Sequence, residues 1–164
     1  MKLTLLPALL LVLILPACDG PTSTLILPTA LRWEQLNPAR GDQSPQAATL
    51  WGDRVGPGPA GFLLKPADGF SSPPHIHGTT YYGIVISGTI HNDHPDAPDE
   101  YLEPGSFWIQ PENGLHITAC RGECLAYIEV DDQFDVQPAE NAKGDAAAVT
   151  ALPASEIKWA PFGI

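Results

Sequence analysis

Three of the chain's five histidines fall in a pattern that could hold a metal ion. His75 and His77 are one residue apart, and on an extended strand residues i and i+2 point to the same face. His116 lies further on, between Gly114 and Ile117-Thr118, in a stretch that also reads as a strand. Three imidazoles converging inside a β-structure suit one divalent transition ion (Zn, Fe, Mn, Ni or Cu), with nitrogen donors about 2.0–2.2 Å from the metal. The ligands must be unprotonated, so binding should weaken as pH falls. Three neutral ligands with open positions is also the arrangement of a reactive metal site. The other two histidines, in His91-Asn92-Asp93-His94, are read differently. With Asp96 and Asp99 nearby, that segment is expected to be a solvated acidic loop.

Cys120 and Cys124 flank Arg121-Gly122-Glu123, which reads as a tight hairpin turn with the two cysteines opposite each other. Cys120 shares strand parity with His116, so the pair is expected near the metal. A disulfide is the favoured state; reduced thiols serving as a redox switch or as extra soft ligands remain the alternatives. A zinc ribbon is excluded, because it needs a second cysteine pair.

The elements that must position these residues are short. Eighteen Pro and fifteen Gly in 164 residues cut the chain into β runs and turns. The runs are 48–51, 61–65, 81–86, 89–91, 106–110, 115–120 and 124–130, with a turn expected at Ser87-Gly88. Strands at this spacing suggest a sandwich or barrel. Ala142 to Val149 is expected to form a turn or two of helix. Leu31-Arg32-Trp33 and Ile157-Lys158-Trp159 echo each other and read as two similar edge strands, or as the trace of a duplicated barrel. Hydrophobic residues at 44% and charged residues at 16% point to one globular domain.

The spacing of the sites carries a family resemblance. Gly69, His75, His77, Tyr81 and Gly88 resemble the first motif of the cupin superfamily, and Gly105, Pro111, Asn113 and His116 resemble the second. Trp51-Gly52-Asp53-Arg54, the run from Gly69 to His77 and Gly105-Ser106-Phe107-Trp108 look like the family of domain of unknown function 4437. That family is related to the cupin half of ChrR-type anti-sigma factors. The resemblance implies an all-β, single-domain, double-stranded β-helix (jelly-roll) barrel over residues 29–164, with both motifs within 69–120. It also implies His75, His77 and His116 as metal ligands. Two positions depart from the motifs: Tyr81 stands where most metal-binding cupins have Glu, and Asn113 where they have Gly. Tyr81 is either a fourth ligand or a neutral hydrogen-bonding neighbour, and its ordinary pKa near 10 favours the second role.

Cupins serve many chemistries, so two functions stay open. One is a metal-dependent oxygenase or isomerase acting on a small molecule, with Phe107 and Trp108 near the site. The other is a non-catalytic sensor of a metal or small ligand, on the ChrR resemblance. A net charge of −11 without any Lys/Arg cluster excludes nucleic acid as a partner. The expected partners are a small molecule and, at most, a second copy of the chain as a homodimer.

Residues 1–17 read as a secretory signal: one positive charge, an apolar run too short to span a bilayer, and a small residue before Cys18. Leu15-Pro16-Ala17-Cys18 resembles the lipobox of bacterial lipoproteins, which implies lipidation of Cys18 and a tether over 18–28. The expected location is the periplasmic face of a membrane, inner or outer, with the lipid as the membrane contact.

Overall fold

The computed structural model describes residues 24–143 and 147–163. The signal segment, the lipidation site Cys18 and the first part of the tether lie outside the described residues. None of the described helices is long and apolar enough to cross a membrane.

Among the described residues, nine strands make an antiparallel β-barrel: β1 (Glu34–Gln35), β2 (Gln46–Trp51), β3 (Ala60–Lys65), β4 (His75–Ile76), β5 (Tyr81–Asp93), β6 (Phe107–Gln110), β7 (Ile117–Val130), β8 (Gln137–Pro138) and β9 (Thr150–Leu152). Seven form one sheet in the order β1-β2-β3-β7-β5-β6-β9, and β4 pairs with β8. The long strands β5 and β7 run side by side from Tyr81↔Val130 to Asp93↔Ile117. The chain before β4 lies along the start of β7, through Cys120 N–H to Phe70 O (2.9 Å) and reciprocal bonds between His75 and His116 (3.0 and 3.1 Å). Those bonds set two histidines from distant parts of the sequence directly opposite each other.

Period-two alternation supplies the core, as it must when one face of a strand is buried. Tyr81 and Val85 of β5, Trp108 of β6 and Ala126, Ile128 and Val130 of β7 point inward with Phe62 of β3. Leu25, Ile26 and Leu27, whose apolar character predicts packing against the barrel, stay exposed.

Two expected turns are not turns. At Ser87-Gly88 the chain continues as β5, and Gly88 sits at φ +67° in a bulge. Opposite it, Arg121-Gly122-Glu123 does not close a hairpin but bulges within an unbroken β7, so that Ser87 faces Leu125 and Thr89 faces Arg121. The sequence cues were Gly residues, which mark bulges as readily as turns. Gly88 is required here: a Cβ would lie 2.8 Å from both Cα and Sγ of Cys124.

The disulfide forms nevertheless, joining Cys120 to Cys124 across the β7 bulge with Cα atoms 6.2 Å apart. Both cysteines are buried in the core cluster. Closing so short a loop contributes about 2 kcal/mol by chain entropy. Reduction, or Cys120→Ser with Cys124→Ser, should lower the unfolding free energy by about that amount or less. The check is a denaturant titration with and without reductant, alongside thiol counting on unfolded protein; two free thiols in protein purified aerobically from an oxidising compartment would refute the native bond.

The other expected elements fare less well. Leu31 to Trp33 and Ile157 to Trp159 are both irregular, so neither is an edge strand. Ala142, Lys143 and residues 147–149 are not helical; a single 3-10 turn, Ala139–Asn141, precedes them. None of the described residues in these segments is fully buried, so no packed face holds them in a helix or strand.

Candidate metal centre

His75, His77 and His116 come together inside the barrel. One ring nitrogen from each lies within 4.8 Å of the others, and all three residues are buried. The strand parity of β4 accounts for the first, its register against His116 for the third. His77 lies one residue beyond β4 and is held from the opposite side, by the segment that leads into β8.

The hydrogen bonds decide which nitrogen is free. Nδ1 of His75 faces Pro73 O at 3.0 Å, Nδ1 of His116 faces Gly114 O at 3.1 Å, and Nδ1 of His77 faces the carbonyl of Asp135. A carbonyl only accepts, so each Nδ1 carries the proton and each Nε2 keeps its lone pair. Among the described residues, Nε2 of His75 and His77 meets no protein donor, and Nε2 of His116 meets only the Tyr81 hydroxyl at 3.3 Å. Backbone carbonyls holding Nδ1–H in this way are the usual support of metal-ligating histidines. The donor set fits a transition ion, and among the described residues no carboxylate belongs to it.

Burial also holds the rings neutral. Desolvation lowers the pKa of all three: His77 falls to about 3 and His116 goes well below the ordinary value, with the neighbouring histidines adding to the effect in both. A histidine whose folded pKa is depressed binds fewer protons than in the unfolded chain. Its stabilising contribution is therefore complete above the unfolded value near 6.5 and is lost as pH falls towards the folded value. For metal-free protein, the denaturant midpoint should hold above about pH 6.5 and fall progressively between about pH 6.5 and pH 5. A midpoint that stays level over that range would contradict neutral, buried rings.

Tyr81 belongs to a buried network that the sequence did not reveal. Its hydroxyl donates to Asn92 Oδ1 (3.0 Å), which also accepts from Thr118 (2.8 Å). Asn92 Nδ2 donates to Gln110 Oε1 (3.0 Å), and Gln110 Nε2 donates to Gly114 O (2.8 Å), the carbonyl that orients His116. Desolvation pushes the Tyr81 pKa up, partly offset by Trp108, Asn92 and Thr118, so the hydroxyl stays protonated. Asn92 and His91 are both buried, His91 with Nδ1 2.8 Å from Glu100 O. The expectation of a solvated loop holds only from Asp93 onward: the bulge around Gly88 shifts the parity of β5 so that Ile90 and Asn92 point inward, and the Glu100–Tyr101 segment covers His91. Local polarity hid both.

Asn113 resolves one departure from the motifs. It adopts φ +60°, the left-handed region that Gly occupies most easily and that Asn tolerates better than most residues. Its N–H bonds to His77 O at 2.8 Å. Phe134, also missed, stacks on His77 with centroids 4.7 Å apart and covers that side of the site. Phe107, expected near the site, is instead on the outer face, stacked on Tyr82, whereas Trp108 points inward towards Tyr81. Cys120 and Cys124 offer no thiol as a ligand, since they are joined.

The sequence matches the family Domain of unknown function (DUF4437) over residues 25–161. No curated protein matches it. Among solved structures, an RmlC-like cupin protein from Ralstonia eutropha aligns with a TM-score of 0.58 at 17% identity, covering 82% of each chain. The polyketide cyclase RemF from Streptomyces resistomycificus aligns at 0.56 and 17% identity, covering 71% of this chain and 84% of the other. The structure of Rhodobacter sphaeroides SigE with the anti-sigma ChrR aligns at 0.46 and 20% identity, covering 61% and 48%.

Proposed function

The chain belongs to the DUF4437 family and has the cupin fold, and from that premise we propose that it holds one divalent transition ion on Nε2 of His75, His77 and His116 and acts with it on a small molecule. The observation that carries this reading is the set of three Nδ1–H groups committed to carbonyls, which aims three lone pairs at one place. An ion there would supply Lewis acidity towards a carbonyl or enol oxygen. Tyr81 stands beside it as a neutral hydroxyl, Phe134 limits water, and His75 borders the cavity through which a ligand enters. An oxygenase or isomerase is the reaction class proposed; a cyclase among the similar structures lends support to enzymatic use of the barrel. Metal content of purified protein, followed by oxygen-uptake and isomerisation screens with the metal restored, tests it.

A second reading is a sensor without turnover. It is favoured by the enclosure of the site, since His77 and His116 are 2% and 0% exposed. Ligand-induced stabilisation with no product in any screen would select it.

We also propose that the protein is exported and anchored through lipid on Cys18, with a small molecule as its main partner and a homodimer as its largest assembly. Leu15-Pro16-Ala17-Cys18 supports the anchor, and the Cys120–Cys124 disulfide suits an oxidising compartment. One acyl chain holds a bilayer only marginally, so the lipid must be the multiple chains of a lipoprotein N-terminus. Membrane fractionation should retain the wild type and release Cys18→Ala; mass spectrometry finding a mature N-terminus other than a modified Cys18 would rule the anchor out.

A further inference from the structure

A cavity of about 390 Å³ opens beside His75, walled by Leu64, Phe70 and Val136 and carrying Asn37 and Arg40 at its rim. Among the described residues no Asp or Glu lines it, although acidic residues outnumber basic ones 19 to 8 in the chain. Arg40 is built into place. It sits on the turn Pro38–Gln43, which the Asn37 side chain caps by accepting from Ala39 N–H. Its guanidinium lies 4.9 Å above the Phe70 ring and donates one N–H to Ser71 O at 3.3 Å. Among the described residues the ion pairs are Arg54–Glu34, His94–Asp96 and Arg121–Asp99, so Arg40 has no carboxylate partner. A guanidinium fork left without an anion in an acidic protein, at the mouth of an apolar cavity, is equipped to receive one.

We propose that the cavity binds a small monocarboxylate with an apolar body, its carboxylate on Arg40, its body against Leu64, Phe70 and Val136, and its far end beside His75. The size suits a ligand of modest mass, since small-molecule pockets start at about 300 Å³. A single charge is indicated because a net charge of −11 repels polyanions and one cation offsets only one negative group. This extends the metal reading, because the ligand's far end meets an ion only if the three histidines hold one. The Arg40 contact does not itself need the ion.

The probes are phenylacetate and its uncharged analogue phenylacetamide, titrated by calorimetry into metal-loaded and chelator-treated protein whose metal content is measured in parallel. Phenylacetate should bind saturably and at least about tenfold more tightly than the amide. Arg40→Met should remove that preference and leave metal content unchanged. Val136→Glu, at a position 62% exposed and so tolerant of charge, should weaken phenylacetate in the same way by placing a carboxylate in the cavity. Thermal melts establish that both variants fold. The preference should persist in chelator-treated protein; the same preference in protein that takes up no metal when metal is supplied would retain the anion site while the metal reading fails. Equal binding of the two probes, no saturable binding of phenylacetate, or a preference that survives both variants would overturn the anion site whatever the metal content.

Discussion

Asn92→Leu should unfold more easily than the wild type by about 3 kcal/mol and bind metal at least about tenfold more weakly. The stability loss follows from what Asn92 satisfies: it accepts from Tyr81 and Thr118 and donates to Gln110, and each buried partner left unpaired costs about 1–3 kcal/mol. Leucine has nearly the same shape, so a cavity adds little. The metal effect has a separate cause. The Tyr81 hydroxyl has one proton, and in the wild type Asn92 takes it, which leaves the His116 Nε2 lone pair free at 3.3 Å. Without Asn92, His116 becomes the nearest acceptor, and the proton competes with the metal. Supporting groups of this kind are worth 10–100-fold in metal affinity as a rough range. Adding Tyr81→Phe removes the competing proton, so the Asn92→Leu/Tyr81→Phe protein should recover metal affinity while remaining destabilised. Metal binding by Asn92→Leu equal to that of the wild type would show that Tyr81 does not govern His116.

The His75→Ala/His116→Ala protein should contain no metal and should no longer respond to it. An ion that binds only the folded state stabilises by RT ln(1 + [M]/Kd), about 4 kcal/mol at a thousandfold excess over Kd. For a domain of this size that corresponds to a rise in Tm of roughly 10 °C. The wild type should therefore melt roughly 10 °C lower after chelation and regain the difference when metal is restored. The double variant should melt at one temperature in both conditions, because His77 alone cannot hold the ion against water. Metal analysis settles occupancy independently of the melt. Full occupancy in the double variant would place the ion elsewhere.

His116 joined the site only through its place in the second cupin motif, whereas the all-β class, the pair His75 and His77 and the disulfide partners were legible along the chain itself. Each depends on local spacing: period-two alternation fixes which side chains share a face, and His75 and His77 share one whatever the strand pairs with. The pairing of Cys120 with Cys124 likewise survived a wrong reading of its backbone, because a four-residue separation keeps both sulfurs on one side in either a hairpin or a bulge.

Tertiary structure decided the rest. Gly88 and Gly122 look like turn residues, and only the register of β5 against β7 makes them facing bulges. Asn92 looks like a surface residue among acids, yet the same register points it at Tyr81. Phe134 and the Asp135 carbonyl reach His77 from 57 and 58 residues away in sequence, and Arg40 reaches Ser71 from 31. Spacing along the chain reports which residues share a strand face. Which distant groups satisfy a buried donor is set by how the strands close around it, because a polar atom removed from water must find its partner wherever the fold provides one.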